Sequence, residues 1–235
     1  MKIKWYNTIE STNSAMEISK TELSHKEVWA ARFQTAGRGQ RGNVWSSAAG
    51  DNLTFSIYLE PRHIRACDQF VLSQAVSLGV CGYLGSRGVH AKIKWPNDIY
   101  VSGNKICGIL IEHSVGGTFL KDTIVGIGLN LNQRQFPGNL PNPTSLSLET
   151  GRTYDVESEL ETLLEHIFEE YDAAGESTDS RYLQMLYLKD EPHTFTIAGS
   201  GEPLEGRITG VAQDGRLAVM TASGIRYFAH KQIAY

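Results

Sequence analysis

The chain has 235 residues, with 22 Lys and Arg against 26 Asp and Glu, a formal charge of −4. That balance argues against a globally basic nucleic-acid binder, because phosphate binding depends on clustered cation excess. Hydrophobic residues at 41% and charged residues at 20% support a folded core and exclude wholesale disorder, and no apolar run reaches the roughly 18–20 residues of a membrane helix.

Lys2–Tyr6 reads as a short first strand, and its lysines lack the apolar stretch of a secretory signal. Ser11, Thr12 and Asn13 offer capping oxygens to a helix carrying Ala15, Met16 and Ile18. Glu27–Phe33 reads as a buried strand, and residues 34–52 as a long polar loop. Leu53, Phe55, Ile57 and Leu59 alternate with Thr54, Ser56 and Tyr58, the period of a strand. Asp68 is placed to cap a helix running to about Ser86, with Phe70, Val71, Ala75, Val76, Leu78 and Tyr83 as its apolar face.

Three strand-like segments follow closely, 91–95, 105–113 and 122–132. Turn residues at Pro96-Asn97-Asp98, Ser102-Gly103-Asn104 and Gly116-Gly117 predict mainly antiparallel pairing. Residues 134–145 read as loop. Asp155 caps an amphipathic helix with Leu160, Leu163, Leu164, Ile167 and Tyr171 on one face, and a second helix is expected over Ser180–Leu188. After Asp190, strands at 194–198, 204–211, 216–221 and 225–229 predict a small barrel packed on the main unit. The expected division is 1–188 and 189–235. Cys67, Cys81 and Cys107 are odd in number and widely spaced, which suits buried thiols in a reducing, cytoplasmic setting better than a disulfide or zinc framework.

Gly37-Arg38-Gly39-Gln40-Arg41-Gly42 matches the dinucleotide fingerprint G-x-G-x-x-G. The fingerprint needs a helix opening at its last glycine, and Asn43–Asn52 leaves too little chain for one before Leu53. A loop folding over an anionic ligand fits better: glycines permit close approach, Arg38 and Arg41 supply forks for anionic oxygens, and Trp45 supplies a stacking face. In isolation these residues also read as a surface turn.

Lys92–Ile99 ends a strand in Lys-Trp-Pro-Asn-Asp, placing a cation, an amide and a carboxylate in one turn, a mixture suited to phosphate and a divalent metal. In Asn104–Glu112, Lys105 enters an apolar strand that Gly108 interrupts, a sign of close approach. In Val125–Asn132, alternation puts Gly126, Gly128, Asn130 and Asn132 on one face, leaving a groove against bare backbone.

Taken together, Glu10–Asn13, QTAGRGQRGNVW (34–45), KWPNDI (94–99), KICGILIE (105–112) and VGIGLNLN (125–132) strongly resemble the biotin–protein ligases over essentially the whole chain. The resemblance implies an α+β catalytic domain like that of class II aminoacyl-tRNA synthetases, with a mixed β-sheet and flanking helices, plus a C-terminal SH3-like β-barrel. It implies two steps: the biotin carboxylate attacks the α-phosphate of ATP, then a carrier lysine attacks biotinyl-5′-AMP. By resemblance, biotin is bound by Ser11, Thr12, Asn13, Gln34, Gly37, Arg38, Gly39, Gln40, Lys105, Gly108, Leu110, Gly126 and Gly128. ATP or the adenylate is met by Arg41, Trp45, Lys94, Asn97 and Asn130, and the chemistry rests on Lys105, Lys94, Asp98 and Arg38. ATP, Mg2+ carried by ATP, and biotin are the implied small molecules, with no metal site of the protein's own. The implied partner is the biotin carboxyl carrier domain of a biotin-dependent carboxylase, with no membrane partner.

The chain departs from many bacterial relatives at Gln40 and Asn43, where they carry basic residues, so weaker adenylate retention is expected. Strand one begins at Lys2, which leaves no room for an operator-binding domain and predicts no DNA partner. Relatives occur as monomers and as homodimers, a choice this sequence leaves open. The competing readings are a lipoate/octanoate–protein ligase and a non-catalytic biotin-binding module; the former sites lack the GRG and KWPND pairing, and Lys105, Lys94 and Asp98 argue against the latter.

Overall fold

Strand β1 (Ile3–Tyr6) pairs in parallel with β2 (Glu27–Ala31), and between them runs helix α1 (Thr12–Ile18), whose cap Ser11 accepts from Ser14 N. The structure, a computed structural model, describes residues 2–138 and 140–235, without the side chains of Arg41 and Glu176. Next come β3 (Leu53–Leu59), helix α2 (Phe70–Ser86), β4 (Lys92–Lys94), β5 (Asp98–Val101), β6 (Asn104–Gly116) and β7 (Phe119–Leu129). The seven strands form one sheet in the order β1-β2-β3-β7-β6-β5-β4, mixed only through the parallel β1–β2 pair.

The two faces of this sheet have different work. Leu53, Phe55 and Ile57 of β3 and Val125, Ile127 and Leu129 of β7 enter the main apolar core with Leu72, Val76, Val80 and Leu84 of α2. Helix α4 (Val156–Asp172), capped by Asp155 through Ser158 N, lies beside α2 and adds Leu160, Leu163, Leu164 and Ile167. The two helices approach so closely that a Cβ on Gly79 would lie 2.6 Å from Ile167 Cα. On the other face, α1 covers Ser56 and Tyr58, so β3 is buried along its whole length although every second residue is polar or Tyr.

After α5 (Glu176–Met185), strands β8 (Pro192–Ile197), β9 (Pro203–Val211), β10 (Leu217–Thr221), β11 (Gly224–Phe228) and β12 (Ile233–Ala234) form a five-stranded antiparallel sheet. Phe195, Ile208, Leu217, Val219, Phe228 and Ile233 belong to the same apolar cluster as α2 and α4. Trp95 Nε1 donates to Gly215 O at 2.9 Å and Tyr235 OH to Trp95 O at 3.3 Å, which fastens this sheet to the turn after β4.

Several local expectations change. Asp68 does not cap α2; it sits in a 3-10 turn at Ala66–Asp68 and accepts from Gln213 Nε2, while Gln69 precedes the helix without a side-chain cap. The KWPND stretch is a hairpin, because Lys94 pairs with Asp98 across a turn containing the cis Trp95–Pro96 bond and β5 returns before the left-handed Ser102-Gly103 turn. Helix α3 (Leu146–Thr150) and strand β12 were not expected, and α5 begins earlier than Ser180, where Gly175 N donates to Thr178 Oγ1. Cys81 and Cys107 are buried but Cys67 is exposed, and burial pushes the Cys81 thiol up to about 12.

Candidate active site

Register sets the floor of a cavity on the α1 face of the sheet. One cross-strand row runs Thr54, Gly128, Gly108, Asp98, Lys94; the next runs Trp29, Ser56, Gly126, Leu110. The glycines are required by close approach. A Cβ on Gly126 would lie 2.1 Å from Asn13 Oδ1, and one on Gly128 would lie 2.1 Å from the Trp45 ring. Trp45 also lies over Gly108, 3.1 Å from where its Cβ would stand.

A regular β6 would put Lys105 and Gly108 on opposite faces, since they are three apart. The ladder slips between Ile99 and Tyr100, so that Asp98 faces Gly108 while Tyr100 faces Lys105, a bulge that re-aims Lys105. Its Nζ consequently meets Asp98 Oδ1 at 2.7 Å. The Lys105 backbone is held from the other side by bonds to Asn142 O and from Thr144 N.

At the α1 end, neutral polar groups form a chain. Gln34 Oε1 accepts from Thr12 N at 2.7 Å and Thr12 Oγ1 at 3.1 Å; Thr12 Oγ1 meets Ser56 Oγ at 2.6 Å; Ser56 Oγ donates to Asn13 Oδ1 at 2.5 Å. Because the single Ser56 proton goes to Asn13, the single Thr12 hydroxyl proton is shared between Gln34 Oε1 and Ser56 Oγ, while the Thr12 N–H keeps its own bond to Gln34. Asn13 Nδ2 then donates to Glu112 Oε2 at 3.0 Å. The loop between β2 and β3 crosses above, bringing Arg38, Gly39, Gln40 and Trp45 into the wall.

The cavity is thus lined by Ser11, Thr12, Asn13, Gln34, Arg38, Gly39, Gln40, Trp45, Asn97, Asp98, Lys105, Gly108, Leu110, Gly126 and Gly128. The Ser11 hydroxyl is engaged as the cap of α1. Gly37 lies behind the lining, where its carbonyl accepts from Trp45 N. Lys94 lies one strand past Asp98 in the same row, outside the lining, with its Nζ 3.4 Å from Tyr100 OH and over the rings of Tyr100 and Tyr235. Burial holds its pKa below the usual lysine value, Asp98 opposes that shift, and Lys105 reinforces it.

Asn130 is not brought to the lining. It follows the last residue of β7, and its Nδ2 donates to Thr144 O, securing the segment that braces Lys105. The side chain of Arg41 lies outside the described residues. Thr54, Ile127 and His230 also line the cavity. Thr54 was within reach of strand alternation, since it stands opposite Gly128; His230 comes from the C-terminal sheet region, for which no local pattern gives a signal. The buried Trp45 Nε1 is left without a hydrogen-bond partner among the described residues, a donor available to an acceptor on a bound ligand.

Residues 5–130 match the family model described as the Biotin/lipoate A/B protein ligase family. The bifunctional ligase/repressor BirA of Bacillus spizizenii is 30% identical over 230 residues, 94% of this chain and 70% of that protein. The biotin–[acetyl-CoA-carboxylase] ligase of Paracoccus denitrificans is 36% identical over 66% of this chain and 66% of its own length. The structure of the biotin protein ligase from Aquifex aeolicus in complex with biotin and ATP superposes with a TM-score of 0.83 at 25% identity, covering 99% of this chain and 97% of that one. A cavity floored by Gly108, Gly126 and Gly128, crossed by an arginine loop and closed by the Lys105–Asp98 pair, is therefore carried by a chain that belongs to the biotin/lipoate A/B protein ligase family.

Proposed function

We propose that this chain is an ATP-dependent biotin–protein ligase that makes biotinyl-5′-AMP and passes biotin to a lysine of a carboxylase carrier domain. One observation carries the reading: a neutral hydrogen-bond chain and a lysine–carboxylate pair stand at two ends of one glycine-floored cavity. Biotin has a neutral ureido ring at one end and a carboxylate at the other, and the cavity is polarised in the same sense. Gln34, Thr12, Asn13 and Ser11 meet the ring. Leu110, Gly126 and Gly128 flank the ring and its tail. Arg38, Gly37, Gly39 and Gln40 belong to the loop that closes over it.

In the first step a biotin carboxylate oxygen bonds to the α-phosphorus of ATP, and the bond to the bridging oxygen breaks, releasing pyrophosphate. Lys105, beside Gly108 at the cavity wall, holds the two reacting anions together. Such a charge-assisted bond contributes about 1.5–3 kcal/mol, and more to the rate where it strengthens as charge builds on the phosphate. Trp45 offers its ring face and Nε1 to the adenylate, with Asn97 in the lining and Lys94 one strand past Asp98 at that end. Among the described residues, Asp98 is the one carboxylate in the lining. Magnesium, when bound with the triphosphate, would supply charge neutralisation for the departing pyrophosphate. In the second step the carrier amine attacks the carbonyl carbon of the mixed anhydride, AMP leaves, and Asp98 orients the amine or accepts its proton.

Residues 1–188 act as the catalytic unit and 189–235 as the SH3-like unit, and the passage between them carries left-handed backbone at Leu188 and Asp190. Among the described residues no helix is long and apolar enough to cross a membrane. The enzyme works in the cytoplasm on a protein carrier and not on DNA, in keeping with the charge of −4. Pyrophosphate release from ATP and magnesium, with biotin or lipoate in parallel, tests the reading. Biotin-dependent release supports it; lipoate-dependent release moves the chain to a lipoate ligase; biotin binding without release leaves a binding module.

A further inference from the structure

The loop over the cavity is a tight excursion standing on its own backbone bonds. Gly39 N donates to Asn43 O at 2.7 Å, Trp45 N donates to Gly37 O at 2.9 Å, and its tip is a 3-10 turn at Gln40–Gly42. Arg38 ties it to the body of the protein. Its two terminal nitrogens meet Glu112, NH2 to Oε1 at 2.5 Å and NH1 to Oε2 at 3.2 Å, and NH1 also lies 3.4 Å from Ser14 Oγ. Asn13 Nδ2 shares the same Glu112 oxygen at 3.0 Å.

Glu112 therefore fastens three pieces that the chain builds separately: the loop, the start of α1, and β6. Its place follows from register, opposite Ile124 and two residues beyond Leu110, on the face that carries Gly108. Arg38 lines the cavity on one side, and with Glu112 it lines a hollow beneath the loop on the other. A carboxylate fits the guanidinium fork at both oxygens, so the plane of Arg38 is set before a ligand arrives.

We propose that Glu112 is a positioning residue for the ligase reaction: by holding Arg38 it keeps the loop shut over the bound adenylate and sets how fast that intermediate escapes. The proposal rests on the ligase reading above. Both partners are partly exposed, 45% for Arg38 and 34% for Glu112, so the pair acts on loop closure more than on global stability.

The test compares wild type, Glu112→Gln and Glu112→Asp, each loaded with biotin, ATP and magnesium, by the release rate of biotinyl-AMP. Losing the charged fork should speed release about tenfold in Glu112→Gln, and about threefold in Glu112→Asp, which keeps the charge on a shorter stem. The single-turnover rate of pyrophosphate formation should stay within about twofold, since a positioning loss of this kind falls on binding. In ligand-free protein, amide hydrogen exchange at Gly39 and Trp45 should quicken in Glu112→Gln. Unchanged release in Glu112→Gln overturns the proposal, as does a matched fall in the single-turnover rate and Tm in both variants. If wild type makes no adenylate, the ligase reading fails, and the exchange measurement still decides whether Glu112 latches the loop.

Discussion

The two ends of the cavity rest on adjacent rows of one sheet yet are built on opposite principles. At the α1 end, Gln34, Thr12, Ser56 and Asn13 are neutral and bonded to one another, and Thr12, Asn13 and Ser56 are buried. At the β5 end, Lys105 and Asp98 are charged, paired and partly open to solvent, with Lys94 behind them. A preset neutral network rigidifies a site that reads a neutral ring, because its donors and acceptors are already aimed. A pair left partly in water can exchange its partner for an incoming anion without stranding a buried charge.

Lys105→Met attacks the charged end, and its effect should be the largest. Biotin-dependent pyrophosphate formation should fall by about 100- to 1,000-fold in kcat, the range for losing one donor to a developing oxyanion, with a smaller loss of biotin affinity, about tenfold, from the carboxylate contact. A loss confined to biotin affinity would mean that Lys105 binds and does not catalyse.

His113 belongs to neither end and gives the next effect, on stability. It lies at the junction between the main sheet and the C-terminal sheet region, its Nδ1 2.9 Å from Thr123 Oγ1, and burial lowers its pKa to about 4. The unfolded chain therefore binds the extra proton from about pH 6.5 downward and the folded chain only near 4, so stability falls as pH drops across that window. The loss is at most about 3 kcal/mol. Denaturant melts of wild type and His113→Gln between pH 7 and 4 should show a shallower acid slope in the variant, with the two ends of the cavity equally active at neutral pH.

Gly126→Ala attacks the neutral end. Its Cβ overlaps Asn13 Oδ1, so the chain through Ser56 must open. The KM for biotin should rise about tenfold, equivalent to roughly one displaced hydrogen bond, with kcat less affected. Equal loss in both would deny that this end serves recognition. The smallest effect is expected at Gln40, which lines the cavity beside Arg38. Gln40→Arg adds a cation, and biotinyl-AMP should leave about two- to fivefold more slowly, a partly exposed contact being worth under about 1 kcal/mol. Equal release rates would show that Gln40 does not limit retention.

Much of this was legible along the chain. Alternation located β3 and β7, and the glycine parity at 126 and 128 identified the floor. Parity misled at Asn130 because β7 ends at Leu129, and past that point the side chain answers to the Thr144 segment. Parity alone would also have separated Lys105 from Gly108; only the bulge joins them, and a bulge depends on pairing with β5, a strand too short to announce itself between two turns. The Glu112–Arg38 pair spans 74 residues of sequence and the His230 contribution comes from the other sheet, so neither has a local signature.

The most direct test follows the product. Purified protein is incubated with biotin, ATP, magnesium and a biotin carboxyl carrier domain, alongside that domain with its acceptor lysine changed to alanine, and intact masses are read. The account predicts one biotin added to the carrier, none to the variant, and none without ATP. An unmodified carrier in the presence of biotin-dependent pyrophosphate release, or modification by lipoate in place of biotin, would contradict it.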